Sequence, residues 1–111
     1  MNHFDKSNLA PFLKKWDSIK DEIESEYSEK SKQAVVLMKT AIENYTELLE
    51  YGGKELNERT GKEKYILLPL NGEERFEFIK ARIKSHYAFV QLEALYSESR
   101  KKAARLSVSR H

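Results

Sequence analysis

Apolar residues recur at steps of three and four along most of this chain, and that period limits what it can fold into. The first such segment holds Leu9, Phe12, Leu13, Trp16, Ile19, Ile23 and Tyr27. On an α-helix of about 3.6 residues per turn these side chains make one stripe. Asn8 is the expected N-cap, which puts Pro11 in the first turn, where its missing N–H matters little. Asp21, Glu22, Glu24 and Glu26 occupy the other, solvated face.

A second segment, from Ser31 to Tyr51, carries Ala34, Val35, Leu37, Met38, Ala41, Ile42, Tyr45, Leu48 and Leu49. Gly52-Gly53 closes it, because glycine takes a left-handed backbone cheaply. Between the two segments YSEKSKQ holds neither Gly nor Pro. One continuous helix would leave a long apolar stripe without a partner. A turn near Ser28 to Ser31 lets the two stripes face each other, so a helical hairpin is expected over 9–27 and 31–51.

GGKELNERTGKEK is polar and reads as a mobile loop. YILLPL after it reads as an extended strap, since Pro69 pushes Leu68 away from the helical region. At Asn71, Glu74 stands three residues on, the spacing of a capping box, and Glu73 and Glu74 suit a helix N-terminus. Phe76, Ile79 and Ile83 follow at helical spacing. Ser85 can cap a new helix, or the helix continues. Tyr87, Phe89, Val90, Leu92, Leu95, Tyr96, Ala103 and Leu106 form the last stripe, and SVSRH is expected to fray.

Stripes of this kind are buried best against one another. The expected fold is therefore all-α, a small four-helix bundle without a sheet. It comprises the hairpin, a long loop and strap over 52–70, and helices over 72–84 and 86–106, in one domain spanning 1–111. The expected core is Trp16, Ile19, Ile23, Leu37, Met38, Ile42, Phe76, Ile79, Leu92 and Leu95. Four Gly and two Pro are too few for the turns of an all-β domain.

The stretch PLNGEERFEFIKARIKSHYAFVQLEALYSESRKKAA resembles the YpoC-like family of small proteins of Gram-positive bacteria. The resemblance rests on Pro69, Asn71, Glu74-Arg75, Phe78-Ile79, Phe89, Gln91-Leu92, Leu95 and the basic end at Lys101 and Lys102. The first half matches more loosely, through Trp16 and the second apolar stripe. The resemblance implies a helical domain in a bacterial cytoplasm and assigns no activity to any residue.

The chemistry suggested by the residues is sparse. Cysteine is absent, which excludes disulfides, thiolate metal sites and a cysteine nucleophile. His3, His86 and His111 are far apart in sequence and show no metal-ligand spacing. Neither a nucleophile elbow nor a phosphate loop occurs. No catalytic residue, metal or cofactor is expected. MNHFDKSNLAPF lacks the pattern of a secretory signal, and no apolar run approaches the roughly 18 residues of a membrane span. A cytoplasmic protein with no membrane contact is expected.

The candidate interaction residues are Glu74, Arg75, Arg100, Lys101, Lys102 and Arg105. Glu74 suits proton transfer and Arg75 an anion, but the preferred account is that Glu74 caps its helix and Arg75 pairs with an acid or packs its stem along the bundle. The basic end, with Arg110, suits weak nucleic-acid contact, and a helix C-terminus also favours cations. Trp16, Tyr27, Tyr45 and Tyr96 fit either a core or a partner groove. A net charge of +2 selects no partner class. The leading expectation is a non-enzymatic helical bundle that binds another protein or itself. The alternatives are a nucleic-acid accessory protein using its last helix, and a small-molecule binder or enzyme with carboxylates inside the bundle.

Overall fold

The computed structural model describes residues 3–108. Arg110, His111 and most of the tail expected to fray lie outside the described residues.

Four helices carry the four apolar stripes: α1 (Lys6–Ser28), α2 (Gln33–Gly52), α3 (Gly72–Ala81) and α4 (His86–Val108). α1 packs against both α2 and α4, and α3 packs against α4. α1 begins before the expected cap. The Asn8 and Leu9 amides donate to the Asp5 carbonyl at 2.9 and 3.2 Å, so Asn8 lies inside the helix and Pro11 beyond its first turn.

α1 ends on a left-handed residue that is not glycine. Lys30 has φ 56°. Its N–H donates to the Tyr27 carbonyl at 3.0 Å, and the Ser31 N–H reaches back to Glu26 at 2.9 Å. This bond pair commonly closes a helix, usually around Gly. The Ser31 hydroxyl then accepts the Gln33 N–H at 3.0 Å as α2 starts. α2 ends at Gly53, with φ 83° and its N–H on the carbonyls of Leu49 and Glu50.

The expected loop and the expected absence of a sheet are both corrected by a β-hairpin. β1 (Lys54–Asn57) pairs antiparallel with β2 (Lys62–Tyr65), Lys54 opposite Tyr65 and Asn57 opposite Lys62. Asn57 organises the turn: its side-chain oxygen accepts the Arg59 and Thr60 amides at 2.9 and 3.3 Å. Its carbonyl accepts the Gly61 N–H at 2.8 Å, with Gly61 at φ 72°. The strands have no buried face, so no apolar alternation announces them. A two-stranded hairpin is marginal alone. Here its base is pinned where Ile66 N–H meets the Gly53 carbonyl at 2.9 Å.

The strap follows, with Leu67 and Leu68 buried and Leu70 exposed. Gly52 and Gly72 let it approach. A Cβ on Gly52 would stand 2.8 Å from Leu67, and one on Gly72 would overlap Leu68. The capping box expected at Asn71 is not formed. Asn71 is left-handed at φ 57° and its side chain caps nothing; its carbonyl instead accepts the Arg75 N–H at 3.0 Å. α3 stops at Ala81 rather than 84. The Ser85 hydroxyl accepts the Tyr87 N–H at 3.1 Å, so α4 is a separate helix.

Trp16, Ile23, Met38, Phe76, Ile79, Leu92 and Leu95 are buried as expected. Ile19, Leu37 and Ile42 are only partly buried. The buried stripe of α2 is rotated onto Ala34, Met38, Ala41, Tyr45, Leu48 and Leu49. Trp16, Tyr45 and Tyr96 belong to this core, with Trp16 and Tyr96 stacked at 4.2 Å.

Candidate functional site

The candidate residues drawn from the sequence do not converge. Glu74 is exposed in the first turn of α3, beside a shallow recess of Phe78, Tyr87 and Gln91. Arg75 turns to α4, where its two terminal nitrogens grip both oxygens of Glu98 at 2.9 and 2.6 Å. It also donates to the Leu70 carbonyl at 3.2 Å. These bonds hold the Glu98 carboxyl below the usual carboxylate range, with desolvation opposing them and the Arg75 charge adding to them. Arg75 is thus an ion-pair partner that ties the strap's end to α4.

The basic end of α4 splits by helical angle. Arg100 faces α1 and meets both Asp17 oxygens at 3.2 Å. Lys102 faces the strap, 3.5 Å from the Leu68 carbonyl. Lys101 and Arg105 share an exposed face, one turn apart. This is no continuous basic stripe.

His3 donates to the Tyr51 carbonyl at 2.6 Å, while His86 lies 3.7 Å from Glu24. Among the described residues no three potential metal ligands gather, and none of their helices is long and apolar enough to cross a membrane.

Buried polar groups that no sequence pattern announces link the helices. Asn44 donates to the Phe12 carbonyl and to the Tyr96 hydroxyl, both at 2.9 Å, and Tyr96 donates to Ala41 at 2.7 Å. Ser99 donates to the Leu67 carbonyl at 2.8 Å. Its single proton is thereby used, so across the 2.7 Å contact Tyr45 is the donor to Ser99. Burial pushes the Tyr45 and Tyr96 hydroxyls well above their ordinary range. The Asn44–Tyr96 set joins α1, α2 and α4, and the Tyr45–Ser99 pair joins α2, α4 and the strap. Asn44 and Ser99 are the buried polar residues among those described, and no carboxylate joins them.

The site with distinctive chemistry lies where the α1–α2 and α3–α4 turns meet. Tyr27 bridges them by donating its hydroxyl to the Ile83 carbonyl, and burial raises that hydroxyl's pKa to about 12. Beside it opens a cleft of about 560 Å³. Its apolar walls come from Tyr27, Val35 and the half-exposed Val36. Lys30 and Lys32 line it from one turn, and Lys84 and His86 from the other. Two helices end here and two begin, so their terminal partial charges oppose one another and the lysines set the local sign. Among the described residues these three lysines make no ion pair.

No curated protein matches the chain, and no solved structure does. The model of one family, described as YpoC-like protein, matches residues 6–111. That match includes the first half, where the likeness in motif is loose, as well as the Pro69–Ala104 stretch that carries the resemblance. The chain belongs to the YpoC-like family.

Proposed function

We propose that this protein is a non-enzymatic interaction module of the bacterial cytoplasm, its helices forming a bundle that presents the inter-turn cleft to a protein partner. One observation carries the reading: a recess with apolar walls, half-exposed Val36 included, is rimmed by lysines without partners among the described residues. Partner-binding surfaces commonly join an apolar centre to a polar rim. Among the described residues the buried polar side chains are satisfied by one another and by backbone carbonyls, so none is left over inside the core to hold a ligand.

Photo-crosslinking in the native cell tests the reading. A crosslinking residue at 36 should trap a protein partner that the same residue at 56, exposed on the hairpin, does not. Equal yields from both positions would remove it. A second reading, weak nucleic-acid contact through Lys101 and Arg105, draws on their shared exposed face. It predicts association that vanishes near ~150 mM salt.

A further inference from the structure

Resting on the interaction reading, we infer that the cleft takes a short acidic segment of a partner protein, with one apolar side chain between carboxylates. The apolar side chain sits against Tyr27, Val35 and Val36, and the carboxylates meet the lysines of the two turns.

Two of those lysines are poor choices for the local fold. Lys30 is left-handed at φ 56°, where Gly carries no steric penalty. Lys32 stands at the start of α2 and its side chain caps nothing. A cation is disfavoured there, and an acid or a small capping side chain is preferred. A helix-end explanation serves Lys84, just beyond α3, but not Lys32. Departures from local preference of this kind gather at functional sites.

The rim chemistry narrows the ligand. Lysine is a mobile point charge, whereas arginine's planar fork suits two-pronged phosphate recognition, and among the described residues no arginine lines this cleft. Separate carboxylates along a peptide suit cations delivered by two separate turns. The apolar walls add what a nucleic-acid backbone would leave unused. His86 already has Glu24 at 3.7 Å, so Lys30, Lys32 and Lys84 carry the recognition.

The test is an amide-resolved NMR titration of the full chain with a short synthetic peptide bearing a central phenylalanine flanked by glutamates. Saturable shifts should appear at Tyr27, Lys30, Val36, Lys84 and His86. Replacing the glutamates by glutamines should weaken binding roughly tenfold, and replacing the phenylalanine by glycine should do the same. Lys30→Gly should raise thermal stability while weakening the glutamate peptide about threefold or more. Lys84→Gln, at an exposed position, should weaken it similarly with unchanged circular dichroism. The inference is overturned by the absence of saturable shifts, by equal binding of the glutamine peptide, or by tighter binding of oligothymidylate at the same residues. Self-association that shifts these signals on concentration, meaning that a second copy occupies the cleft, also overturns it. A crosslink from position 36 to a segment without carboxylates leaves the interaction reading standing and removes this one. Absence of a site-specific crosslink removes the interaction reading itself.

Discussion

The chain reverses after α1 and again after α2, and both helices close around a left-handed residue. After α2 it is Gly53, in open space and flanked by Gly52. After α1 it is Lys30, held by the same kind of backward amide bonds without glycine's freedom. The first ending is visible in the sequence as Gly-Gly. The second is hidden, because a lysine occupies a position that the backbone alone would give to glycine. One connection is built for close packing, and the other accepts local strain beside a cleft.

The largest effect that would break this comparison is at Gly52. Gly52→Ala places a methyl 2.8 Å from buried Leu67 and should cost about 1–3 kcal/mol by overpacking. A loss below ~0.5 kcal/mol in denaturant melts would mean that the strap yields rather than packs. Gly53→Ala meets no neighbour, so its penalty is backbone strain alone, about 1–2 kcal/mol for a φ of 83° and ψ of 180° that glycine almost alone adopts. Lys30→Gly should have the opposite sign. Relief of strain exceeds glycine's entropy loss by a margin, raising stability by about 0.5 kcal/mol. Equal or lower stability would show that the turn tolerates lysine without strain.

A further small effect concerns the far end of the second connection, where Arg75 joins Leu70 to Glu98. The pair is partly exposed and should contribute no more than about 1 kcal/mol. Glu98's folded pKa is depressed, so its contribution is present above the unfolded carboxylate's pKa and lost as pH falls through the folded value. The stability gap between the native chain and Glu98→Gln should therefore close as the solution is acidified. A gap that widens in acid would contradict the assigned pairing.

The helical periods were legible because each stripe repeats over several turns. That repetition placed the helices, most of the core and the turn near Ser28 despite the missing glycine. It also placed the break near Ser85 among the alternatives. The α2 register was less secure, since its broad stripe offers Leu37 and Ile42 as plausibly as Ala34 and Ala41. The hairpin was illegible because all but one of its strand residues are exposed and its order comes from Asn57 and backbone pairing. Asn44 and Ser99 gave no signal, as their partners come from other elements distant in sequence. The candidate site failed for a related reason. Adjacent cations at Arg100, Lys101 and Lys102 point in different directions on a helix, whereas Lys30, Lys32 and Lys84 come together only through two turns. A helix break without Gly or Pro was the one available hint, and it marked a place rather than a role.

The hairpin's pinned base has a practical consequence for engineering. The span from α2 to α3 is fixed below the strands, at the Gly53–Ile66 contact and by Leu67 and Leu68 against Gly52 and Gly72. Chain length above that contact does not enter the geometry of the helices. A reporter domain spliced between Glu58 and Thr60 would extend from the tip without changing the span, whereas a single residue added between Leu67 and Leu68 would put one helical half out of step with the other.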